Sequence, residues 1–76
     1  MRDLVRFLTE GLVDAPDAVR IREAGGERGQ VFEITVAPED RGRLIGKEGR
    51  TIRAIRSLVS AAASRDGRRV MVEVLD

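Results

Sequence analysis

The side chains able to carry chemistry in this chain are carboxylates, arginines, one lysine and hydroxyls. Its 76 residues include no histidine, cysteine, tyrosine or tryptophan, so there is no imidazole base, thiolate nucleophile, zinc-thiolate site or strong stacking platform. Asp14 with Asp17, or Glu39 with Asp40, could hold a magnesium ion, but such pairs supply few of the ligands that it needs and more often cap helices or lie in solvent. We therefore expect no enzymatic activity, no metal and no cofactor.

Positive charge is concentrated in one segment, although the net charge of the chain is only +1. Residues 41–56 carry a net charge of +5, and the other sixty residues carry −4. The basic residues of the segment are Arg41, Arg43, Lys47, Arg50, Arg53 and Arg56. This asymmetry is typical of a surface that meets a polyanion, but also of a solvated helix face, and charge alone does not separate the two.

Two glycines, Gly46 and Gly49, lie in the basic segment where a helix is expected to begin. Glycine inside a helix costs about 1 kcal/mol relative to alanine, so another property of these positions must compensate. A pair of glycines lets the chain turn sharply and lets another backbone approach closely. The N–H groups at the start of the following helix suit a phosphate oxygen, and Lys47, Arg50 and Arg53 surround them with positive charge.

Apolar side chains accompany the glycines. Ile45, Ile52 and Ile55 form a strip on which nucleobases could lie.

Two other interpretations of the glycine pair compete with nucleic-acid binding. A nucleotide-binding P-loop is disfavoured because only three residues separate Gly42 from Gly46 and Lys47 is followed by glutamate, not serine or threonine. A helical corner that binds no ligand stays open, because glycine commonly ends helices.

The surrounding pattern predicts a single domain over residues 1–76 with the order helix, strand, strand, short helix, glycine loop, long helix, strand. The predicted helices cover residues 2–13, 38–45 and 50–64, and the predicted strands cover residues 19–22, 31–37 and 70–75, with a turn at 24–29. On the long helix, Ile52, Ile55, Leu58, Val59 and Ala62 are expected to face the core. A crossover between the last two strands favours a three-stranded mixed sheet with three helices on one face. Arg20, Arg22, Glu33 and Glu73 are expected on the other, solvated face.

The N-terminal residues alternate charged and apolar side chains, and nowhere do about 18 apolar residues run together. We therefore expect neither export nor membrane insertion, and a cytoplasmic location.

The stretch IGKEGRTI, residues 45–52, resembles the Ile-Gly-x-x-Gly-x-x-Ile signature of the KH domain. The element order resembles its type II form, an α+β fold, and the resemblance covers essentially the whole chain. The chain looks most like the KhpA family of small bacterial RNA-binding proteins.

The resemblance implies a binder of single-stranded RNA whose glycine loop clamps about four nucleotides by their backbone. Gly46 and Gly49 would permit the approach of the strand, Lys47 and Arg50 would contact phosphates, and Ile45 and Ile52 would line the base groove. Glu48 departs from the basic or neutral residue expected there, and it would point away, pair with an arginine or read a base amino group. The expected RNA-binding set is completed by Arg43, Arg53 and Arg56.

The resemblance also implies partners and a biological setting. These are a homodimer, or a heterodimer with a Jag-type KhpB protein, and a role as an RNA chaperone or post-transcriptional regulator linked to cell elongation and cell shape. The same glycine loop and long helix would serve either RNA or a KH–KH contact. The alternative function is therefore that of a protein–protein assembly adaptor.

Overall fold

The chain folds in the order α-β-β-α-α-β in a computed structural model that describes residues 1–26 and 29–75. The elements are α1 (Arg2–Glu10), β1 (Arg20–Gly26), β2 (Gly29–Thr35), α2 (Arg41–Ile45), α3 (Arg50–Arg65) and β3 (Val70–Val74). Short 3₁₀ turns lie at Pro16–Ala18, Pro38–Asp40 and Lys47–Gly49. This order confirms the predicted α+β class and places the 46–49 loop between two helices.

The three strands form one mixed sheet in the order β1-β2-β3. β1 pairs antiparallel with β2, and β2 pairs parallel with β3, so that Phe32 lies opposite Val72. The crossover from β2 to β3 passes through α2 and α3, as predicted. β3 is consequently an edge strand, and it returns along α3 from the far end of that helix.

The core lies between the sheet and the helices. Its buried apolar residues are Val5, Val19, Ile21, Phe32, Ile34, Val36, Leu44, Ile52, Ile55, Val59, Ala63, Val70 and Val72. The opposite face of the sheet carries the charged residues that its alternating pattern predicted, together with Val31 and Met71. There Arg22 lies 3.7 Å from Glu33, and Glu33 is opposite Glu73 in the parallel register.

The hairpin is longer than its sequence suggested. Pairing continues to Gly26 opposite Gly29, so residues 24–26 and 29 of the predicted turn belong to strands, and residues 27 and 28 lie outside the described residues. Gly25 makes the extension possible because its φ of +123° suits only glycine, and a Cβ there would approach the Cα of Gln30 to 2.9 Å.

Helix boundaries and faces also differ from the prediction. α1 ends at Glu10 rather than near residue 13, because the N–H of Leu12 bonds to the carbonyl of Thr9 and tightens the last turn. On α3, Leu58 is 56% exposed, and Ala63 is buried where Ala62 was expected to be. The buried positions 52, 55, 59 and 63 follow the side of the helix that faces the core. Even α3, with 16 residues, is too short and too polar to cross a membrane, and the same holds for the other helices of residues 1–26 and 29–75.

Asp40, one of the carboxylates considered for a metal, has a structural role. Asp40 is 1% exposed and accepts hydrogen bonds from the backbone N–H groups of Asp14 and Ala15, each at 3.1 Å. It thereby ties the start of α2 to the segment after α1. Within the part of the chain that the structure describes, no group of three or more acidic side chains is placed to hold a metal ion.

Candidate nucleic-acid interface

The 46–49 loop is built from backbone conformations that few residues adopt. Gly46 has φ +78° and ψ 170°, Glu48 has φ +56° and ψ 26°, and Gly49 has φ +75° and ψ 14°. These left-handed turns reverse the chain within four residues, so that α3 starts immediately after α2 has ended. The loop is held by hydrogen bonds from the N–H of Gly46 to the carbonyl of Gly42 and from the N–H of Gly49 to the carbonyl of Gly46.

The two glycines serve different purposes. A Cβ at Gly46 would lie 2.8 Å from the backbone nitrogen of Thr51 and closer still to its side chain, so this glycine lets the loop pack against the first turn of α3. Among the described residues, a Cβ at Gly49 would find only the Cγ2 of Ile52, at 4.0 Å. Gly49 is therefore required for its left-handed conformation and for the open space above it, which another backbone could occupy.

Glu48 is an exposed non-glycine residue in the left-handed region. A left-handed conformation costs an L-residue about 1–2 kcal/mol. Its carboxylate forms no ion pair or hydrogen bond with any residue in 1–26 or 29–75. The structure thus gives no support to a pairing of Glu48 with a nearby arginine.

The positive charge around the loop is not neutralised within the described chain. Lys47, Arg50 and Arg53 are exposed, and no carboxylate of residues 1–26 or 29–75 lies within ion-pairing distance of them. The first N–H groups of α3 receive no cap from a side chain that the structure describes. Unpaired donors and unpaired cations therefore meet at one helix start, which favours a bound anion.

Arg43 lies in a different setting from the one expected. Its Nη2 is 3.0 Å from Asp14 Oδ2, and its Nε is 3.7 Å from Asp40 Oδ1. The charge predicted to meet RNA is therefore shared with two carboxylates, because the fold brings the segment after α1 beside α2. That Arg43 contributes to RNA binding stays a prediction.

Arg56 is also engaged, but by backbone. Its Nε donates to the carbonyl of Val72 at 2.9 Å, and the Nε of Arg41 donates to the carbonyl of Leu75 at 3.2 Å. Both bonds occupy carbonyls along the β3 edge, which would otherwise be open to another strand. A guanidinium has five N–H donors, so Arg56 keeps donors for a ligand.

The predicted strip of three isoleucines is mostly interior. Ile52 is 6% exposed and Ile55 is 3% exposed, and both belong to the core. Ile45 is half-buried and packs against that core from α2. The apolar surface expected for bases is thus reduced to Ile45 and the rim of Ile52, because the 52/55/59/63 row of α3 faces the sheet.

A groove lies between α3 and β3. It is lined by Arg56, Ser60, Val70, Met71, Val72 and Glu73. Its apolar wall includes Met71, which is 57% exposed. No sequence pattern indicated Ser60 or Met71 as site residues, because the groove exists only where the helix and the edge strand pack together.

A family model for the KH domain of KhpA and KhpB matches residues 2–74 of this chain. The chain belongs to the KhpA/KhpB KH-domain family. Curated members named RNA-binding protein KhpA include those of Caldanaerobacter subterraneus subsp. tengcongensis, with 48% identity, and Clostridium acetobutylicum, with 44%. Both alignments cover 99% of this chain and 100% of the relative. The KhpA of Leifsonia xyli subsp. xyli is 52% identical over 91% of this chain and 88% of its own length.

A solved structure shows the same KH fold within a larger protein. It is Aquifex aeolicus Era Y63A bound to GDP.AlF4⁻, which superposes with a TM-score of 0.66 over 95% of this chain at 21% sequence identity. The KH domain described here spans 28% of that chain. This likeness supports the fold of a KhpA/KhpB domain and carries no inference about activity.

Proposed function

We propose that this KH domain binds single-stranded RNA through the 46–49 loop and the start of α3. Gly46 and Gly49 shape the loop, and the strand's phosphates lie against the N–H groups that begin α3. Lys47, Arg50 and Arg53 neutralise those phosphates, while Ile45 and the rim of Ile52 contact the bases. The names of the KhpA relatives, which describe RNA-binding proteins, support this assignment.

The observation that carries the proposal is the distribution of ion pairs. Arg2, Arg6, Arg22 and Arg43 each have a carboxylate within 4.0 Å. The cations at the start of α3 have none among residues 1–26 and 29–75. A phosphate-binding surface has to keep its charges available, and the start of α3 does so.

The composition of the site sets the character of the binding. No aromatic side chain is among the site residues, so the roughly 1–3 kcal/mol per base that aromatic stacking supplies elsewhere must come from aliphatic contacts or arginine planes. We infer modest affinity with little base selectivity. Such binding suits a cytoplasmic RNA chaperone or post-transcriptional regulator.

Fluorescence anisotropy with a labelled, mixed-sequence single-stranded RNA tests the proposal. The logarithm of the association constant should fall with the logarithm of salt concentration at a slope of about −2 or steeper, since three neutralised phosphates contribute about −0.7 each. Absence of binding even at low salt would overturn the assignment. A duplex RNA of the same sequence is the control and should bind more weakly.

A second candidate function is a contact between two KH domains through α3. Leu58 is 56% exposed near the middle of this helix, and the exposed Ala54 and Ala61 lie on the same side of it. Small residues beside a large apolar one let a second helix approach closely, and most of the area gained on pairing would come from Leu58. We propose this face for a homodimer, and a KhpB-type protein is the hetero-partner that the family suggests.

Leu58→Glu tests the pairing without altering the loop. The variant should stay folded, because the side chain is mostly exposed, and it should sediment as a monomer at concentrations where the parent chain dimerises. Analytical ultracentrifugation with and without RNA measures both states. A parent chain that is monomeric throughout the concentration range, or a variant that still dimerises, would contradict the α3 contact.

A further inference from the structure

A second cluster of unpaired cations lies at the opposite end of α3 from the glycine loop. Arg65 is in the last turn of the helix, and Arg68 and Arg69 follow in the turn that leads to β3. All three are exposed. None has a carboxylate within ion-pairing distance in the described part of the chain, although Asp66 is adjacent in sequence.

The cluster borders a recess to which four glycines contribute. Arg68 and Arg69 line it together with Gly25, Gly26, Gly29 and Gly67. At Gly26 and Gly67 no atom of the described chain lies within 4 Å of an added Cβ, so these two positions leave room for a backbone to enter, whereas Gly25 and Gly29 pack against the chain's own backbone. Among the described residues, Glu23 is the carboxylate that also lines the recess, but it lies 3.1 Å from Arg2 and accepts a hydrogen bond from Gln30 at 3.5 Å. Gln30 in turn accepts a hydrogen bond from Arg68, which orients that guanidinium without neutralising it.

The recess adjoins the α3/β3 groove at the start of β3. Val70 lines the end of the α3/β3 groove, and its neighbour Arg69 lines the recess. The two basic ends are separated by the length of α3, about 24 Å for its 16 residues. A stacked single strand rises about 3.4 Å per nucleotide, so about seven nucleotides span that distance. This is longer than the roughly four nucleotides that a KH glycine loop clamps.

We propose that Arg65, Arg68 and Arg69 form a second phosphate-binding site, which holds the continuation of the RNA strand clamped at the 46–49 loop. The strand runs from the loop along the α3/β3 groove and ends at the glycine-lined recess. The footprint of one KH domain then exceeds the clamp, and affinity depends on RNA length. This inference rests on the proposed RNA-binding function.

The test compares two RNA lengths in one set of variants. The variant Arg65→Gln/Arg68→Gln/Arg69→Gln is measured by anisotropy with oligonucleotides of about four and about twelve nucleotides, which bracket the clamp and the full path. We expect the longer RNA to bind about tenfold more weakly than to the parent chain, and its salt slope to become shallower by about 2 for three lost phosphate contacts. The affinity for the shorter RNA should change less than about twofold, since this RNA reaches only the loop.

Matched charge removal elsewhere is the control. Arg6→Gln/Arg20→Gln/Arg22→Gln lowers the net charge by the same amount on α1 and on the outer face of β1, and it should leave binding of both RNAs close to that of the parent chain. If the first triple variant fails to fold, the double variant Arg65→Gln/Arg69→Gln takes its place, because it retains the hydrogen bond between Arg68 and Gln30. It should bind the longer RNA more weakly than the parent chain does and leave binding of the shorter RNA unchanged.

The outcomes separate this inference from the function on which it rests. Unchanged affinity for the longer RNA, or equal losses for both lengths, would overturn the second site while the loop remains a clamp. A parent chain that binds neither RNA would overturn the proposed function itself. A lower melting temperature with unchanged binding of the longer RNA would assign the cluster to stabilising the C-terminal end of α3, where the helix dipole favours cations.

Discussion

Replacing Lys47 and Glu48 together by aspartate should reduce RNA affinity at least tenfold while the domain stays folded. The change keeps both glycines and places carboxylates on the exposed loop, where they repel phosphates that Lys47 would attract. Both positions are exposed, so no core contact is lost. Anisotropy with the RNA of about twelve nucleotides measures the loss, and circular dichroism confirms the fold. Sedimentation of the same variant shows whether dimerisation depends on the loop.

Glu48→Asn is the matched control for this loop variant. Asparagine tolerates the left-handed conformation of position 48 better than glutamate does, and it removes a negative charge from the loop. It should bind RNA as tightly as the parent chain or more tightly. If the double aspartate variant bound RNA normally, the loop would not be the clamp. If Glu48→Asn lost binding, the carboxylate itself would be a recognition group, such as an acceptor for a base amino group.

Gly46→Ala should lower the free energy of unfolding by about 4 kcal/mol, the largest stability change that we expect from a single residue of the motif. The new Cβ would meet the backbone and side chain of Thr51, and alanine would have to adopt φ +78° with ψ 170°. Relief would require moving the start of α3, which Ile52 anchors in the core. Urea denaturation measures the change, which is a large fraction of the total stability of a small domain.

Gly49→Ala provides the comparison because it shares the positive φ but has open space around its Cβ. It should lower the free energy of unfolding by about 1–2 kcal/mol, which is the energy of the left-handed conformation for an L-residue such as alanine. Equal losses at the two positions would show that neither the contact with Thr51 nor the ψ of Gly46, 170° against 14° at Gly49, adds to the cost of a positive φ. The ratio of the two effects therefore tests the structure of the loop independently of RNA.

Much of this architecture was readable from local pattern. The alternation of Val70, Val72 and Val74, the breaks at Pro16 and Pro38 and the pair Gly46/Gly49 placed the elements within a few residues, because each reflects a local conformational preference. Where a strand or helix boundary differs from the prediction, contacts with a neighbouring segment are the cause. β1 reaches Gly26 only because β2 continues the pairing to Gly29.

The candidate interface also combines features that the local sequence predicts with features that only the fold decides. Its loop, its charge and its family signature are properties of one continuous segment, so residues 45–52 predicted the position of the candidate interface before any fold was considered. Whether a given arginine is available for RNA is a property of the folded chain. Arg43 meets Asp14 and Asp40 because α2 packs beside the segment after α1, and Arg56 bonds to Val72 because β3 returns along α3.

The sequence by itself determined the KH motif, the order of the elements and the concentration of positive charge, since these depend on residue type and spacing along the chain. Only the tertiary structure decided which cations remain unpaired, that Leu58 faces outward, and that Arg68 and Arg69 border a recess beside the α3/β3 groove. Those features depend on contacts between residues far apart in sequence. Spacing along a single helix or strand cannot specify such contacts.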